Sequence, residues 1–332
     1  MQSLNRKIVV LGTGSWGTAL AIVLARNGVK VNLWGFFQEE VENIKKNHIN
    51  SRYLPDIELP KNIDLYSDIR EAVNGVNDIL SVVPSNVFHA TLESLKPYMT
   101  DSSRISWATK GFDSSGRLLH ESVKEVLGDI PMAVLSGPTF AREVALGLPT
   151  AVTIASSNDD FGRDLAGLFH NDTFRVYTSK DVVGVQVGGA VKNVLAIAIG
   201  IADGMGFGAN ARAALITRGL AELTRLGVAL GGKFETFMGL TGLGDLVLTC
   251  TDNQSRNRRF GINIGKGMDR ISAEKAIDQV VEGIINADLI HLVTQKLGIE
   301  MPISELVYRI LHESLPPKKA VEALLTRERK PE

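Results

Sequence analysis

A glycine-rich turn near the start of the chain constrains its fold more than any other feature. The apolar residues 8–11 lead directly into the turn G-T-G-S-W-G at 12–17, and a helix-like stretch follows. Strand, G-x-G-x-x-G turn and helix in this order predict a dinucleotide site. Gly12 permits the tight turn, Gly14 lets a pyrophosphate approach the backbone at the helix N-terminus, and Gly17 lets the helix pack closely on the strand.

The end of the second predicted strand bears on which dinucleotide binds. An NAD-selective site usually carries an acidic residue about 20 residues beyond the turn, whereas an arginine accommodates the extra phosphate of NADP. Here residues 29–34 form the strand. Phe36 and Phe37 lie just beyond it, where neither an acidic residue nor an arginine is present. We therefore expect a nicotinamide or flavin cofactor, with the choice between NAD and NADP left open.

Size and composition exclude several classes of protein. At 332 residues the chain is long enough for about two domains. Its 44% apolar and 22% charged residues are ordinary for a soluble globular protein. A net charge of -1 gives no overall attraction to nucleic acid or to an anionic membrane. We expect no nucleic-acid partner.

Cysteine and histidine usage argues against disulfides and metals. Cys250 is the single cysteine, and the six histidines show no metal-ligand spacing. The apolar run before the glycine turn is too short for a secretory signal. We expect a metal-independent protein of the cytoplasm.

Short apolar runs alternate with helical patterns through the first half of the chain, which predicts a parallel sheet covered on both faces. The further predicted strands are residues 79–83, 104–108, 132–135, 151–155 and 174–177. From residue 181 onward the pattern is helical. The predicted fold class is therefore α/β: a Rossmann-type doubly wound sheet in a dinucleotide-binding domain, 1–180, and an all-helical substrate-binding domain, 181–332.

Residues 182–202 are long and apolar enough to resemble a membrane span. Lys192 and Asn193 lie in the middle, and a lysine at the centre of a lipid-facing helix costs about 2.5 kcal/mol or more. We therefore predict a buried helix of a soluble protein, without stable membrane insertion. Lys192 would face a cleft and exchange protons there, unless it is a structural lysine that reaches the surface or pairs with a carboxylate.

Two further segments carry polar groups. Residues 255–259, S-R-N-R-R, combine hydroxyl, amide and guanidinium donors suited to a phosphate, although such a cluster is also typical of a solvated face. Asp245 follows a glycine-rich turn and belongs either to a site or to a helix cap. The residues alone leave both alternatives open.

Polar residues also follow two of the predicted strands. Lys110 follows one strand and Gly137 another, at the edge of the sheet where α/β proteins bind ligands. Gly137 and Pro138 would serve an ordinary turn equally well. The cation of Lys110 is suited to an anionic substrate or cofactor.

Taken in order, these segments closely resemble the bacterial-type NAD(P)-dependent glycerol-3-phosphate dehydrogenases. Several segments in the same order are more specific than any one of them. The matching residues are 12–17, 108–111, 135–141, 188–193, 240–249, 255–260 and 280–283.

The resemblance implies reversible hydride transfer between a nicotinamide and C2 of sn-glycerol 3-phosphate, with dihydroxyacetone phosphate as the oxidised partner. Lys192 matches the family's catalytic lysine, which exchanges the proton with the carbonyl oxygen. Hydride arriving at C2 builds negative charge on that oxygen, and an ammonium stabilises the charge. The resemblance further implies a small phosphorylated substrate, a role in glycerophospholipid synthesis and a homodimer.

The resemblance also assigns contacts residue by residue. The implied substrate contacts are Lys110, Gly137, Thr139, Asn193, Asp245, Ser255, Arg256 and Asn257. The implied cofactor contacts are Gly12, Gly14, Ser15, Trp16, Gly17, Phe36, Phe37, Lys110, Ala141, Arg256, Val280 and Glu282. At Phe36 and Phe37 relatives often carry a basic or histidine side chain, so the departure weakens a preference for NADP. The aromatic rings either stack on adenine or fill the crevice.

Two other functions use the same fold. A β-hydroxyacid or ketopantoate-type dehydrogenase shares the domains and the catalytic lysine, but its substrate carries a carboxylate, for which residues 255–257 are less suited. A non-catalytic NAD(P)-binding sensor is the second, because fold does not fix function. The presence of Lys192 disfavours it.

Overall fold

A single sheet organises the first part of the chain in the computed structural model, which describes residues 6–277 and 279–326. Its strands are β1 (Lys7–Leu11), β2 (Lys30–Trp34), β3 (Ile63–Tyr66), β4 (Asp78–Ser81), β5 (Arg104–Trp107), β6 (Met132–Ser136), β7 (Thr150–Ser156) and β8 (Phe174–Ser179). They lie in the order β3-β2-β1-β4-β5-β6-β7-β8. The order reverses beside β1, and in open α/β sheets such a switch point marks the ligand crevice.

Helices cover this sheet. They are α1 (Ser15–Arg26), α2 (Gln38–Asn47), α3 (Ile69–Val73), α4 (Ser85–Leu95), α5 (Leu119–Leu127), α6 (Ala141–Leu146) and α7 (Asp159–Phe169), with a 3-10 turn at Lys96–Tyr98. The continuous apolar sequence of β1 follows from burial on both faces, since Ile8, Val9 and Val10 are each fully buried. The predicted Rossmann-type α/β class is confirmed.

The prediction of a parallel sheet is wrong for its last two strands, β7 and β8, which run opposite to the other six. β6 and β7 pair antiparallel, with Leu135 opposite Ile154, whereas β7 and β8 are again parallel. The sequence pattern does not indicate strand direction, because a buried strand has the same apolar pattern whether it pairs parallel or antiparallel. β3 was not predicted, since among its four residues only Ile63 is buried in the core and Leu65 packs partly buried against it.

Helices make up the second part of the chain. They are α8 (Val182–Gly204), α9 (Gly208–Ala229), α10 (Phe234–Phe237), α11 (Asp245–Thr251), α12 (Arg256–Gly265), α13 (Arg270–Lys275), α14 (Glu282–Leu297), α15 (Pro302–His312) and α16 (Pro317–Leu325), with a π-helical turn at Leu240–Gly244. One compact unit of the chain ends at Gln186 and the other begins at Val187. The predicted boundary at 181 lies immediately before α8, and residues 1–5 and 327–332 of the predicted domains lie outside the described residues.

Among the described helices, α8 alone is long and apolar enough to cross a membrane, yet 83% of its most apolar window is buried inside the protein. The apolar composition of α8 is therefore explained by burial inside the protein. This agrees with the prediction made from Lys192 at the centre of the helix. The helix is hydrophobic nearly all round because it is a core helix.

Paired glycines let α8 and α12 pack at backbone distance. A Cβ on Gly200 would lie 2.2 Å from the Arg258 carbonyl oxygen, and a Cβ on Gly261 would lie 2.2 Å from the Ile197 carbonyl oxygen. Gly265 stands in the same relation to Ile201. Any larger side chain would therefore force the two helices apart.

We predict that Gly261→Ala destabilises the protein by about 1–3 kcal/mol, because the added methyl overpacks a closed contact. The thermal midpoint of unfolding measures the loss. Gly167→Ala in α7 is the control, since a Cβ there would meet nothing within 4 Å among the described residues. That variant should be as stable as the parent or gain up to about 1 kcal/mol. Equal midpoints for both variants would contradict the packing argument.

Candidate active site

The glycine turn at 12–17 has the geometry that its sequence predicts. Gly12 has a φ of +124°, and its N–H donates to the Trp34 carbonyl at 2.8 Å. A Cβ on Gly12 would lie 2.9 Å from the Val82 carbonyl oxygen, and one on Gly17 would lie 2.0 Å from the Gly12 carbonyl oxygen. Both positions therefore require glycine.

The N-terminus of α1 is open to an anion. Gly14 is the N-cap, and no described side chain caps the helix. A Cβ on Gly14 would meet no described atom within 4 Å, so ligand atoms have room to approach its backbone. Ser15 and Trp16 begin the helix, and the buried Trp16 Nε1 has no hydrogen-bond partner among the described atoms. A helix N-terminus with free N–H groups binds phosphate.

Phe36 and Phe37 follow β2 and are exposed, by 75% and 60% respectively. Their rings meet edge to face at 5.2 Å. Exposed rings of this kind are available to stack on a ligand.

Lys110, Gly137 and Thr139 come together at the carboxyl ends of β5 and β6. The Lys110 ammonium and the Thr139 hydroxyl both donate to the Gly137 carbonyl, each at 3.2 Å. Gly137 packs against β7, since a Cβ there would lie 3.0 Å from the Val152 Cα. Ala141 begins α6 just beyond this turn.

Asp113 organises the loop that follows Lys110, and the sequence pattern did not single it out. Its carboxylate is buried and accepts hydrogen bonds from Ser115, Arg117 and Ser122. Burial alone would raise the pKa of Asp113, but these hydrogen bonds hold the pKa below its ordinary value. The loop is thus fixed by one ionised side chain.

Lys192 is a buried lysine paired with a carboxylate. It is 6% exposed, and its Nζ donates to Asp245 Oδ1 at 2.6 Å and to Thr249 Oγ1 at 2.9 Å. The Asp245 side chain is fully buried and contacts Lys192 instead of capping α11. Thr249 was missed, although it lies one turn after Asp245 on α11, a spacing that places both side chains on one face.

Glycines also bring Asp245 to Lys192. A Cβ on Gly188 of α8 would lie 2.2 Å from the Thr241 carbonyl oxygen, in the π-helical turn that precedes Asp245. Within that turn, a Cβ on Gly242 would lie 2.1 Å from the Phe237 carbonyl oxygen. The glycine-rich sequence before Asp245 is therefore required for close packing.

Cys250 lies beside the ion pair and is fully buried. Burial raises the pKa of the Cys250 thiol far above its ordinary value, and the positive charge of Lys192 offsets only part of that shift. Because the thiolate is the reactive form, burial disfavours nucleophilic chemistry at Cys250.

Asn193 and Asn257 form a chain of hydrogen bonds beside Lys192. The Asn193 amide donates to Glu282 Oε2 at 3.1 Å, and the Asn257 amide donates to Asn193 Oδ1 at 2.9 Å. The Gly283 N–H completes the chain by donating to Asn257 Oδ1 at 2.9 Å. Gly283 was not predicted, but a Cβ there would lie 2.7 Å from Asn257 Oδ1. Val280, also predicted, lies two residues before Glu282 and is 55% exposed.

The donors predicted at 255–259 face in different directions. Ser255 caps α12 by accepting from the Arg258 N–H at 3.2 Å, and Arg256 Nη1 donates to the Gln279 side chain at 3.3 Å. Arg258 is buried, with Nη2 2.5 Å from Asp203 Oδ2. Arg259 alone of the cluster is exposed. The solvated-face alternative is therefore wrong for this segment.

The second unit thus joins the predicted residues into two adjacent hydrogen-bonded groups, Lys192 with Asp245 and Asn193 with Asn257 and Glu282. The first unit joins Lys110, Gly137 and Thr139. The glycine turn and the exposed phenylalanines belong to the first unit as well.

Comparison with known proteins identifies the family. The N-terminal model of the NAD-dependent glycerol-3-phosphate dehydrogenases matches residues 7–162, and the C-terminal model matches residues 181–322. A glycerol-3-phosphate dehydrogenase (NAD(P)+) of Bartonella henselae is 54% identical over 328 residues, which cover 98% of this chain and 96% of the relative.

A solved structure shows the same fold over nearly the whole chain. The crystal structure of glycerol-3-phosphate dehydrogenase from Coxiella burnetii has a TM-score of 0.95 and 53% identity, and the match covers 97% of this chain and 99% of that one. Family models on both parts of the chain and relatives of matching length lead to one conclusion. This chain belongs to the NAD-dependent glycerol-3-phosphate dehydrogenase family.

Proposed function

We propose that this chain is an NAD(P)-dependent oxidoreductase that interconverts sn-glycerol 3-phosphate and dihydroxyacetone phosphate. The observation that carries the proposal is the buried Lys192, paired with Asp245 and Thr249. A helix N-terminus bearing Ser255 and Arg256 lies on the same unit. A proton donor and phosphate-binding donors are what reduction of a phosphorylated ketone requires.

The glycine turn fits a dinucleotide, because Gly14 leaves its backbone open and α1 begins without a side-chain cap. The cofactor, when bound, supplies or removes the hydride. The residues that we propose to hold it are Gly12, Gly14, Ser15, Trp16, Gly17, Phe36, Phe37, Lys110, Ala141, Arg256, Val280 and Glu282. Phe36 and Phe37 would offer an aromatic face to adenine.

Lys192 is proposed to move the proton. In reduction its ammonium stabilises negative charge on the carbonyl oxygen and donates a proton to it. In oxidation the neutral amine accepts the proton of the C2 hydroxyl. Asp245 and Thr249 hold the ammonium in place, because each accepts one of its three N–H bonds.

The remaining substrate contacts are proposed from polar groups of both units. Ser255, Arg256 and Asn257 lie at the start of α12, where the helix N-terminus and a guanidinium favour a phosphate. The full proposed set is Lys110, Gly137, Thr139, Asn193, Asp245, Ser255, Arg256 and Asn257.

We also propose the roles of the two domains, the cellular location, the oligomeric state and the pathway. Residues 1–180 would be the dinucleotide-binding domain and residues 181–332 the substrate-binding domain. The enzyme would act in the cytoplasm as a homodimer and supply glycerol 3-phosphate for glycerophospholipid synthesis. Neither nucleic acid nor a membrane would be a partner.

We predict that the purified protein oxidises NADH or NADPH when given dihydroxyacetone phosphate and does so far more slowly with unphosphorylated dihydroxyacetone. Loss of nicotinamide absorbance measures both rates, and comparison of the two cofactors gives the preference. Turnover of 2-keto acids instead would favour the β-hydroxyacid alternative. Binding of cofactor without turnover of any ketone would favour the sensor.

We predict that Lys192→Met lowers kcat by about 100- to 10,000-fold, since positioned proton transfer contributes a factor of this size. Binding of NADH, measured by fluorescence titration, should be retained. Lys266→Met, which changes an exposed lysine at the end of α12, is the control and should keep the parent's kcat. Because Lys192→Met removes the cation that pairs with the buried Asp245, the double variant with Asp245→Asn checks that the loss is not one of folding. Retention of more than a tenth of kcat in folded Lys192→Met would contradict the assignment.

We predict that Arg256→Ala raises the KM for dihydroxyacetone phosphate by about 10- to 100-fold, because hydrogen bonds to a charged group contribute about 1.5–3 kcal/mol. Arg259→Ala on the same helix is the matched control, since Arg259 is exposed. Steady-state kinetics on both variants measures the difference. An equal change of KM in the two variants would count against a phosphate site at Arg256.

A further inference from the structure

Asn50 lies far from the glycine turn in sequence, yet its side chain reaches it. The residue is 2% exposed and belongs to the connection between α2 and β3. Its Nδ2 donates to the Thr13 carbonyl at 2.7 Å and to Thr18 Oγ1 at 2.9 Å. Thr18 Oγ1 in turn donates to the same Thr13 carbonyl at 3.2 Å. One backbone carbonyl of the turn is therefore held by two buried side chains.

The direction of this carbonyl decides the direction of the next N–H. The Thr13 carbonyl and the Gly14 N–H belong to one peptide group, which is planar, and none of the described peptide bonds is cis. The two groups consequently point in opposite directions. Because Asn50 and Thr18 hold the carbonyl toward buried side chains, the Gly14 N–H points away from them.

Asn50 is itself fixed independently of the turn. The backbone carbonyl of Asn50 accepts hydrogen bonds from the Leu54 N–H at 2.8 Å and from the Tyr53 N–H at 3.1 Å. The preceding residue, Ile49, forms a β-bridge with Glu58, and Leu54 is buried in the core. The backbone that carries the Asn50 side chain is thus anchored by contacts outside the turn.

We propose that Asn50 is a positioning residue for the dinucleotide: it fixes the peptide between Thr13 and Gly14 so that the Gly14 N–H faces the pyrophosphate. Asn50 does not touch the cofactor in this assignment. The inference rests on the proposed function, because it requires that a dinucleotide binds at the glycine turn.

The test is a direct binding measurement on the full chain. Asn50→Leu removes the amide donor and keeps much of the side-chain volume. We expect the Kd for NADH, measured by fluorescence titration, to rise about tenfold, which corresponds to about 1.4 kcal/mol. The kcat at saturating NADH and the KM for dihydroxyacetone phosphate should not change. Asn50 is proposed to affect only the affinity of the turn for the dinucleotide.

Thr18→Val provides a second variant, since it removes the hydroxyl that bonds both Asn50 and the Thr13 carbonyl. It should also weaken NADH binding. If both residues act through the same carbonyl, the double variant should lose less than the sum of the two single losses. Additive losses would contradict a shared carbonyl.

Asn62→Leu is the matched control. Asn62 Nδ2 also donates to two backbone carbonyls, those of Ala25 at 2.9 Å and Val29 at 2.8 Å, but these lie at the other end of α1, just before β2. The variant should lower the thermal midpoint and leave the Kd for NADH unchanged.

Each outcome decides the proposal. Weaker NADH binding in Asn50→Leu and in Thr18→Val, with Asn62→Leu unaffected, would support it. It is overturned if both turn variants bind NADH like the parent, or if binding in all three variants falls only in proportion to their thermal midpoints. A parent protein that binds neither NADH nor NADPH would instead overturn the proposed function, and the positioning role with it.

Discussion

Backbone-to-backbone contact along α8 is the constraint on which the second unit depends. Gly188, Gly200 and Gly204 each face a carbonyl oxygen of a neighbouring segment at a distance that no Cβ allows. These contacts place α11 and α12 against the middle of α8. Asp245 consequently reaches Lys192, and Asn257 reaches Asn193. The polar groups of the candidate site are thus aligned by residues that carry no side chain.

The buried ion pair between Lys192 and Asp245 is better explained by chemistry than by stability. Removing two charges from water is costly, and replacing such a pair by apolar residues is often neutral or stabilising. Here the pair leaves the ammonium with one bond to a carboxylate and another to Thr249. In the proposed reaction, a lysine held in this way would stabilise and protonate a developing oxyanion. A lysine buried among apolar neighbours is what the proposed reaction requires.

In the first unit, the proposed anion site consists of the glycine turn and of buried side chains that support it. The glycines allow the turn and expose its N–H groups, whereas Asn50 and Thr18 set the direction of one peptide within it. The Asp113 carboxylate fixes the loop after Lys110 in a comparable way. Both supports are buried polar side chains whose hydrogen bonds are satisfied, so they add rigidity at little desolvation cost.

The sequence by itself determined the α/β class, the glycine turn, the buried character of α8 and the segments that carry the candidate site. These features follow from local periodicity and from glycines whose role depends on near neighbours. Only the tertiary structure decided that β7 runs antiparallel to β6, that Arg258 faces Asp203 while Arg259 faces solvent, and that Thr249, Gly283 and Asn50 support the site. Each of these depends on contacts between residues distant in sequence, or on helix orientation, and a local pattern carries no record of which distant groups will meet.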